Sequence, residues 1–359
     1  NGLKRLGEWI EASRRMDCSS RRIRVLGQSL KEKNPEFVGM EPLSELVETL
    51  GSEDFFERQS AAWKLVEAGA RAVEPLLEAL EKDPDPQVRF KAAWVLGRIG
   101  DAKALGALTG ALQEDEDPSV REWAASALEA IGDRRAIPFL ARSVATDSSR
   151  EVRLRSSLAL VAFSASEAFM ELLDEPDLEA RRMAVVGLGR LRVAEARDKL
   201  AAFIEDGDPE LRRRTAWSLG EMRNPEAVPL LGPALKDESA VVRMTVAKAL
   251  ATIGGEEACL MASSLLEDED PRVRLAAVTA LGEIGLADAL DWLVEVLFGE
   301  DGEEIRAWAA WSLGEISDRR AIEPLQEACL RCPPAVRDKA LDSLEQVFGI
   351  GRSDGEGEI

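Results

Sequence analysis

An arginine recurs along this sequence at intervals of about 31 residues, and this repeat constrains the possible fold more than any other feature. It can be followed at ten positions: Arg58, Arg89, Arg121, Arg153, Arg181, Arg212, Arg243, Arg274, Arg306 and Arg337. Nine successive intervals of 31, 32, 32, 28, 31, 31, 31, 32 and 31 residues separate them, and a leucine stands seven places after each arginine. Most of the 359 residues therefore form one array of repeated units and not several unrelated globular domains.

Each unit contains two amphipathic stretches. The arginine stretch, as in 85–100, and the stretch before it, as in 72–80, both have apolar residues spaced three and four apart, which is helical spacing. Prolines lie near the starts of several preceding stretches, at Pro75, Pro138, Pro229 and Pro324. A single helical hairpin cannot bury its own apolar face. We therefore predict an all-α fold, an α-solenoid of about ten stacked hairpins over residues 41–348.

Three parts of the chain depart from the regular pattern. The interval of 28 residues between Arg153 and Arg181 lacks the usual Gly-Asp turn around 163–167, so we expect a shortened hairpin and a local change in curvature. Residues 1–40 lack a full repeat and are predicted to form an N-terminal helical cap. Residues 349–359 are rich in glycine and charge, which is typical of a flexible C-terminal tail.

Composition excludes several classes of function. The chain has no histidine, which excludes Ser-His-Asp and Cys-His nucleophiles and histidine-ligated metal sites. With 46 basic and 67 acidic residues the formal charge is −21, which disfavours binding of nucleic acid or anionic lipid. No uncharged stretch approaches the length of about 20 residues that a membrane span needs. Four cysteines are too few for a disulfide framework, and we expect a cytoplasmic protein.

Motifs that would indicate catalysis are also missing. The pair Cys329 and Cys332 has no second ligand pair to complete a zinc site, and Cys329 and Cys259 fit the register of core residues in the other units. No glycine-rich phosphate loop of the strand–loop–helix type is present, and no carboxylate pair stands out among so many acids. We expect neither a cofactor nor a metal, and no enzymatic activity.

The repeat motif resembles a known family. It is similar to the HEAT-like repeats of the phycobilisome-lyase (PBS lyase) type, on matching residues that include Val88, Arg89, Ala92, Ala93, Leu96, Gly97, Ile99, Gly100 and Asp101. The resemblance implies a right-handed superhelix in which the arginine-bearing second helix of each hairpin lines the concave surface. Such repeats occur in bilin lyases, assembly chaperones and scaffolds. The related deoxyhypusine hydroxylases use paired His-Glu metal motifs, which a chain without histidine cannot supply.

One face of the second helix has an unusual composition. We define the second-helix face as the positions 1, 2, 5 and 9 places after each repeated arginine, which lie opposite the apolar arc. Six of the eight tryptophans occupy two of these positions, and the cations exceed the anions by 9 − 7 = 2 in a chain of charge −21. The candidate binding residues on this face are Trp63, Phe90, Trp94, Arg98, Trp123, Arg155, Arg182, Arg190, Arg213, Arg214, Trp217, Lys248, Trp308 and Trp311.

Two interpretations of this face remain open. Tryptophan at one repeat and lysine or aspartate at the equivalent position of the next is typical of a solvent-facing recognition surface, and tryptophan and arginine often anchor interfaces. Alternatively, each ring lies flat over the adjacent helix and is half-buried packing, and the arginines are ordinary solvated charges. The repeated arginine itself is interpreted as structural, pairing with acids of the preceding unit.

The favoured function is a non-catalytic scaffold or adaptor. It would hold a protein partner with acidic and apolar groups in a concave groove, anchored by tryptophans at both ends and by arginines between them. The second hypothesis is a bilin-lyase-like or chaperone-like protein whose rings stack on a tetrapyrrole and whose arginines hold its propionates. The third is nucleic-acid binding through the arginine-rich middle, which the overall charge disfavours.

Overall fold

The computed structural model describes residues 42–349, and in this range the chain forms nineteen α-helices and no strand. The helices alternate as the first and second members of ten hairpins, so the predicted all-α solenoid of about ten repeats is confirmed. The predicted N-terminal cap, and all of the predicted tail after Gly349, lie outside the described residues. No described helix is both long enough and apolar enough to cross a membrane.

The second helices bear the repeated arginines and are the more regular set. They are α2 (Phe55–Ala68), α4 (Pro86–Ile99), α6 (Pro118–Ile131), α8 (Arg150–Ala162), α10 (Leu178–Leu191), α12 (Pro209–Glu221), α13 (Ala240–Ile253), α15 (Pro271–Ile284), α17 (Glu303–Ile316) and α19 (Pro334–Phe348).

The first helices are shorter and less regular. They are α1 (Leu43–Glu48), α3 (Ala70–Lys82), α5 (Leu105–Glu114), α7 (Ile137–Thr146), α9 (Ser166–Leu172), α11 (Arg197–Ala201), α14 (Glu256–Ser263), α16 (Leu290–Phe298) and α18 (Ile322–Arg331). In the seventh hairpin a 3-10 helix, Pro229–Lys236, takes this place, and Pro233 inside it has no N–H for an α-helical hydrogen bond. Pro75 lies six residues into α3 and not near its start as predicted.

The Asp-x-Asp-Pro segments fix where the second helices begin. The second aspartate is the N-cap: the carboxylate of Asp85 accepts a hydrogen bond of 2.8 Å from the backbone N–H of Gln87, and proline takes the first helical position. The helix ends at Gly100, whose φ of 76° is a left-handed conformation that glycine adopts without a steric cost. Asp101 then caps the short 3-10 turn that leads into the next first helix.

Close packing between second helices joins one hairpin to the next. The leucine seven places after each repeated arginine is buried in all ten hairpins. Neighbouring second helices contact one another more extensively than neighbouring first helices do. A Cβ added at Gly97 would lie 2.7 Å from the Cα of Ala127 on the adjacent helix, and Gly220 has the same relation to Ala249. Glycine is therefore required where these backbones touch.

In six of the ten hairpins the repeated arginine pairs with an aspartate of the following hairpin. The expectation that it pairs with acids of the preceding unit is therefore wrong. Nε and Nη2 of Arg89 donate to the carboxylate of Asp115, which lies 26 residues ahead, at 2.8 and 2.9 Å, while its Nη1 donates to the carbonyl oxygens of Asp83 and Pro84 in its own turn. Asp115 also accepts from the N–H of Asp117 at 2.9 Å. We call this set of inter-hairpin pairs the arginine ladder; its carboxylate rungs are Arg89–Asp115, Arg121–Asp147, Arg153–Asp177, Arg182–Asp208, Arg212–Asp237, Arg243–Asp268 and Arg274–Asp301.

The irregular hairpin is shortened as predicted. Its first helix, α9, has seven residues where α7 has ten, and a left-handed residue, Ser164 with φ of 52°, replaces the usual glycine turn. Helices α8 and α10 contact each other less than the second helices on either side do. The buried ring of Phe169 fills the space beside Gly187, where an added Cβ would lie 2.5 Å from the ring.

Breaking one rung of the arginine ladder is predicted to destabilise the array. The side chains of Arg243 and Asp268 are each 8% exposed, so Arg243→Met leaves a buried carboxylate without its guanidinium and costs about 3 kcal/mol. The control is Lys82→Met, because Lys82 and Glu78 are 69% and 71% exposed and their pair contributes less than about 1 kcal/mol. Urea unfolding measures the free energy of unfolding of both variants. Equal losses of stability in the two would contradict the stabilising role of the ladder.

Glycine at the helix contact gives a second prediction. Gly97→Ala forces the α4 and α6 backbones apart and is expected to cost about 1–3 kcal/mol. Gly106→Ala, on α5 where an added Cβ meets nothing within 4 Å, is expected to stabilise the protein by up to about 1 kcal/mol. Thermal melting of the two variants compares them directly, and a neutral Gly97→Ala variant would refute the close contact.

Candidate functional site

All six tryptophans of the second-helix face are half-buried. Phe90, Trp94, Trp123 and Trp308 pack against the core, and every ring keeps part of its surface open to solvent. None of the rings is sealed between layers, and none stands fully exposed. The structure thus combines the two interpretations that the sequence left open, since the same rings pack between hairpins and remain accessible.

Four aromatic rings from three successive hairpins form an N-terminal aromatic cluster. The rings of Trp63 and Trp94 meet edge to face, with their centroids 5.6 Å apart and an interplanar angle of 89°. Phe90 and Trp123 stack with centroids 6.5 Å apart and an angle of 22°. Both pairs join neighbouring second helices. Trp63 and Trp94 occupy equivalent positions of their repeats, whereas Phe90 and Trp123 lie one and two places after their arginines. The cluster is a continuous apolar surface made by α2, α4 and α6.

Two cations lie on the rings of the N-terminal aromatic cluster. The ammonium group of Lys91 is 5.4 Å from the centroid of Phe90 and 5.9 Å from that of Trp94, and the guanidinium of Arg98 is 5.6 Å from the centroid of Trp63. Neither forms a salt bridge with a carboxylate of residues 42–349. Burial, with a smaller effect of the charge of Arg58, lowers the pKa of Lys91. This end of the face is therefore aromatic and positive.

The C-terminal aromatic pair consists of Trp308 and Trp311 on α17. Their centroids are 5.2 Å apart with an interplanar angle of 76°. They are three positions apart on one helix, so they present adjoining ring surfaces on the same side. An open cavity of about 390 Å³ lies between α17 and α19 beside Trp308.

Four of the five candidate arginines in the middle of the face are neutralised by acids of the chain itself. Arg213 and Arg214 both pair with Glu210 at 2.7 Å. Arg182 pairs with Asp208 at 2.7 Å and with Glu179 at 3.0 Å. Arg155 pairs with Glu129 at 2.8 Å and receives further support from the hydroxyl of Ser126.

The sequence count missed these acids because they lie outside the four positions that define the face. Glu179 and Glu210 stand two places before the repeated arginine, and Glu129 stands eight places after it. Helical spacing of three and four between Glu210 and the two arginines was the available signal. The excess of two positive charges therefore does not describe the middle of this surface.

Three further candidates stand apart from both aromatic groups. Arg190 and Lys248 are exposed and form no salt bridge with another described residue, and Trp217 is half-buried without a described aromatic neighbour. Within residues 42–349 no cluster of acidic or cysteine side chains has the geometry to hold a metal ion. The described geometry brings together aromatic rings and charges, not nucleophiles.

These features define an α-solenoid of helical hairpins with an aromatic second-helix face. A family model described as HEAT repeats matches residues 73–161, 166–232, 198–262 and 260–345, and one described as PBS lyase HEAT-like repeat matches 57–82. The matches cover well over half of the chain, and the protein belongs to the HEAT repeat family. A search of curated proteins finds no significant match.

Solved structures with a similar shape include three karyopherin complexes. Kap95p with RanGDP is 15% identical to this chain with a TM-score of 0.55, and the match covers 86% of this chain and 49% of Kap95p. The Kap95:Nup1 complex is 16% identical with a TM-score of 0.56, and the match covers 85% of this chain and 49% of that one. Kap121p bound to the extreme C-terminus of the protein phosphatase Cdc14p is 14% identical with a TM-score of 0.54, and the match covers 91% of this chain and 48% of Kap121p. The chain thus spans about half the length of these solenoids, and the likeness shows the fold alone.

The double ion pair of Glu210 gives a pH prediction. Hydrogen bonds from Arg213, and secondarily from Arg214, lower the pKa of the Glu210 carboxyl to about 2. Since this lies below the unfolded value of about 4.3, the pairing stabilises the protein above about pH 4 and is lost as the pH falls toward 2. An NMR titration of the Glu210 side chain measures this pKa. Arg213→Gln should raise it more than Arg214→Gln, and an ordinary pKa in the parent protein would contradict the pairing.

Proposed function

We propose that this protein is a non-catalytic scaffold that binds a protein partner along its second-helix face. The observation on which the proposal rests is the N-terminal aromatic cluster, where Lys91 and Arg98 lie on ring faces without a carboxylate partner among the described residues. Large rings next to unpaired cations can anchor an acidic and apolar segment, because the rings supply buried area and the cations supply charge recognition.

The packing of the hairpins supports a groove on this side. Second helices that touch through glycines, with first helices in looser contact, bend a stack toward the second helices. The second-helix face then lies on the inner side of the bend, which agrees with the resemblance to HEAT-like repeats. The similar karyopherin solenoids are each bound to proteins in the structures named above, which favours protein over small-molecule partners.

The paired arginines change one part of the sequence hypothesis. Arg155, Arg182, Arg213 and Arg214 are held by acids of the chain, so the proposed anchors are the two aromatic ends and not the middle. The same pairs weaken the nucleic-acid hypothesis, because of the candidate cations between the two aromatic ends only Arg190 and Lys248 lack a salt bridge to a described residue. No feature of the described residues favours a tetrapyrrole over a peptide on the aromatic clusters.

Neutralising the two cations of the N-terminal aromatic cluster tests the proposal. The variant Lys91→Gln/Arg98→Gln is expected to lose at least tenfold in recovery of the partner, because the rings stay and only the anion-binding charge disappears. The measurement is affinity capture from the native source with quantitative mass spectrometry, with melting temperature checked in parallel.

The matched control is Lys103→Gln/Lys236→Gln. Both lysines are exposed, away from the second-helix face, and form no salt bridge with a described carboxylate. The control removes the same charge and is expected to recover the partner as the parent protein does. Unchanged recovery by the Lys91→Gln/Arg98→Gln variant, or equal losses in both variants, would refute the proposed surface.

A further inference from the structure

The cavity beside the C-terminal aromatic pair differs in charge from the N-terminal aromatic cluster. It is about 390 Å³ and is lined by the first turns of α17 and the first half of α19, with Trp308, Ala307 and Ala335 forming its apolar wall. Its rim bears four carboxylates and one ammonium group, a charge of −3: Glu303, Glu304, Asp338, Asp342 and Lys339. We call this cavity the acidic cleft.

Local structure explains only part of that charge. Glu303 and Glu304 lie in the first turn of α17, where a helix N-terminus favours carboxylates, and Glu303 accepts a hydrogen bond from the N–H of Ala335 at 3.1 Å. Asp338 and Asp342 lie further along α19, four residues apart, and like charges at this spacing destabilise a helix. Neither forms a salt bridge with a described residue. No ion pair within residues 42–349 therefore offsets the repulsion between these two carboxylates.

The rings supply an independent observation. At the other end of the face both rings of the Trp63–Trp94 pair have a cation of the chain, with Arg98 5.6 Å from Trp63 and Lys91 5.9 Å from Trp94, whereas Trp123 has none within residues 42–349. Among the described residues no cation lies over Trp308 or Trp311, although Trp308 borders an open cavity. The Trp308–Trp311 pair thus differs from the Trp63–Trp94 pair, because carboxylates line the cavity beside it and no cation of the described residues lies over either ring.

We propose that the acidic cleft is a docking site for a basic segment of a protein partner, whose arginine or lysine side chain stacks on Trp308 and pairs with Asp338 and Asp342. This rests on the proposed function and adds to it the direction in which the partner lies along the face. The partner presents acidic groups to the N-terminal aromatic cluster and basic groups to the acidic cleft. A guanidinium fits the site best, because it stacks on an aromatic face and donates to two carboxylates at once.

A peptide titration tests the site itself. The probe is a fluorescein-labelled Gly/Ser nonapeptide with three arginines, read by fluorescence polarisation with the full chain at low salt. The variant Glu304→Gln/Asp338→Asn/Asp342→Asn is expected to weaken binding at least tenfold. The control Glu256→Gln/Glu257→Gln/Glu323→Gln removes three exposed carboxylates from first helices and should change affinity less than twofold. Lys339→Ala is expected to strengthen binding two- to threefold, a gain that misfolding does not produce.

Two results would overturn the proposal. Equal weakening in the cleft and control variants would mean diffuse attraction to an acidic chain, and absence of binding would mean no site.

The chain also has five arginines between residues 13 and 25. Tighter binding of a peptide of that segment, together with concentration-dependent self-association of the full chain in sedimentation, would assign the cleft to a second copy and not to another protein. Because the peptide needs no native partner, its result is independent of the capture experiment.

Discussion

The arginine ladder is the interaction on which the array depends. Five of the seven ladder arginines use one nitrogen to hold carbonyl oxygens of their own inter-helix turn and two to hold the aspartate of the next turn, as Arg243 does with Asp237 and Asp268. Only a planar guanidinium can make all of these bonds at once, so lysine would not replace it. The aspartate in turn fixes the N–H groups that start the next second helix. The spacing between hairpins and the start of each helix are thus set by one side-chain pair.

The ladder also shows how the array accommodates its irregular hairpin. After the shortened repeat the rung moves by one residue, so that Arg182 and not Arg181 reaches the next turn, where it pairs with the N-cap Asp208. Arg181 keeps only its bonds to the carbonyls of Glu175 and Pro176. At the last junction Arg306 approaches the sulfur of Cys332 at 3.4 Å instead of a carboxylate. Neighbouring hairpins thus remain joined at these junctions, although the arginine or its partner atom changes.

The repeat arithmetic was sufficient to predict the helical hairpins, their number and the shortened unit, because local periodicity and caps determine each hairpin. The side-chain pairs that join one hairpin to the next were harder to predict from the sequence. The partner of Arg89 is 26 residues away, and both the preceding and the following turn offer aspartates, so only the handedness of the stack decides between them. The neutralisation of Arg213 and Arg214 by Glu210 was readable from helical spacing, but the four positions chosen to define the face excluded it. Half-burial of the rings depends on the distance between second helices, which the sequence does not state.

The two aromatic ends of the second-helix face differ in charge, and the account predicts that one partner spans both. Photo-crosslinking measures this most directly, with a photoreactive amino acid placed at Lys91 and, separately, at Lys339, followed by mass spectrometry of the linked peptides. The account predicts links to an acidic segment of the partner from position 91 and to a basic segment of the same partner from position 339. A basic segment linked from position 91 and an acidic segment linked from position 339, or no link from either position, would contradict it.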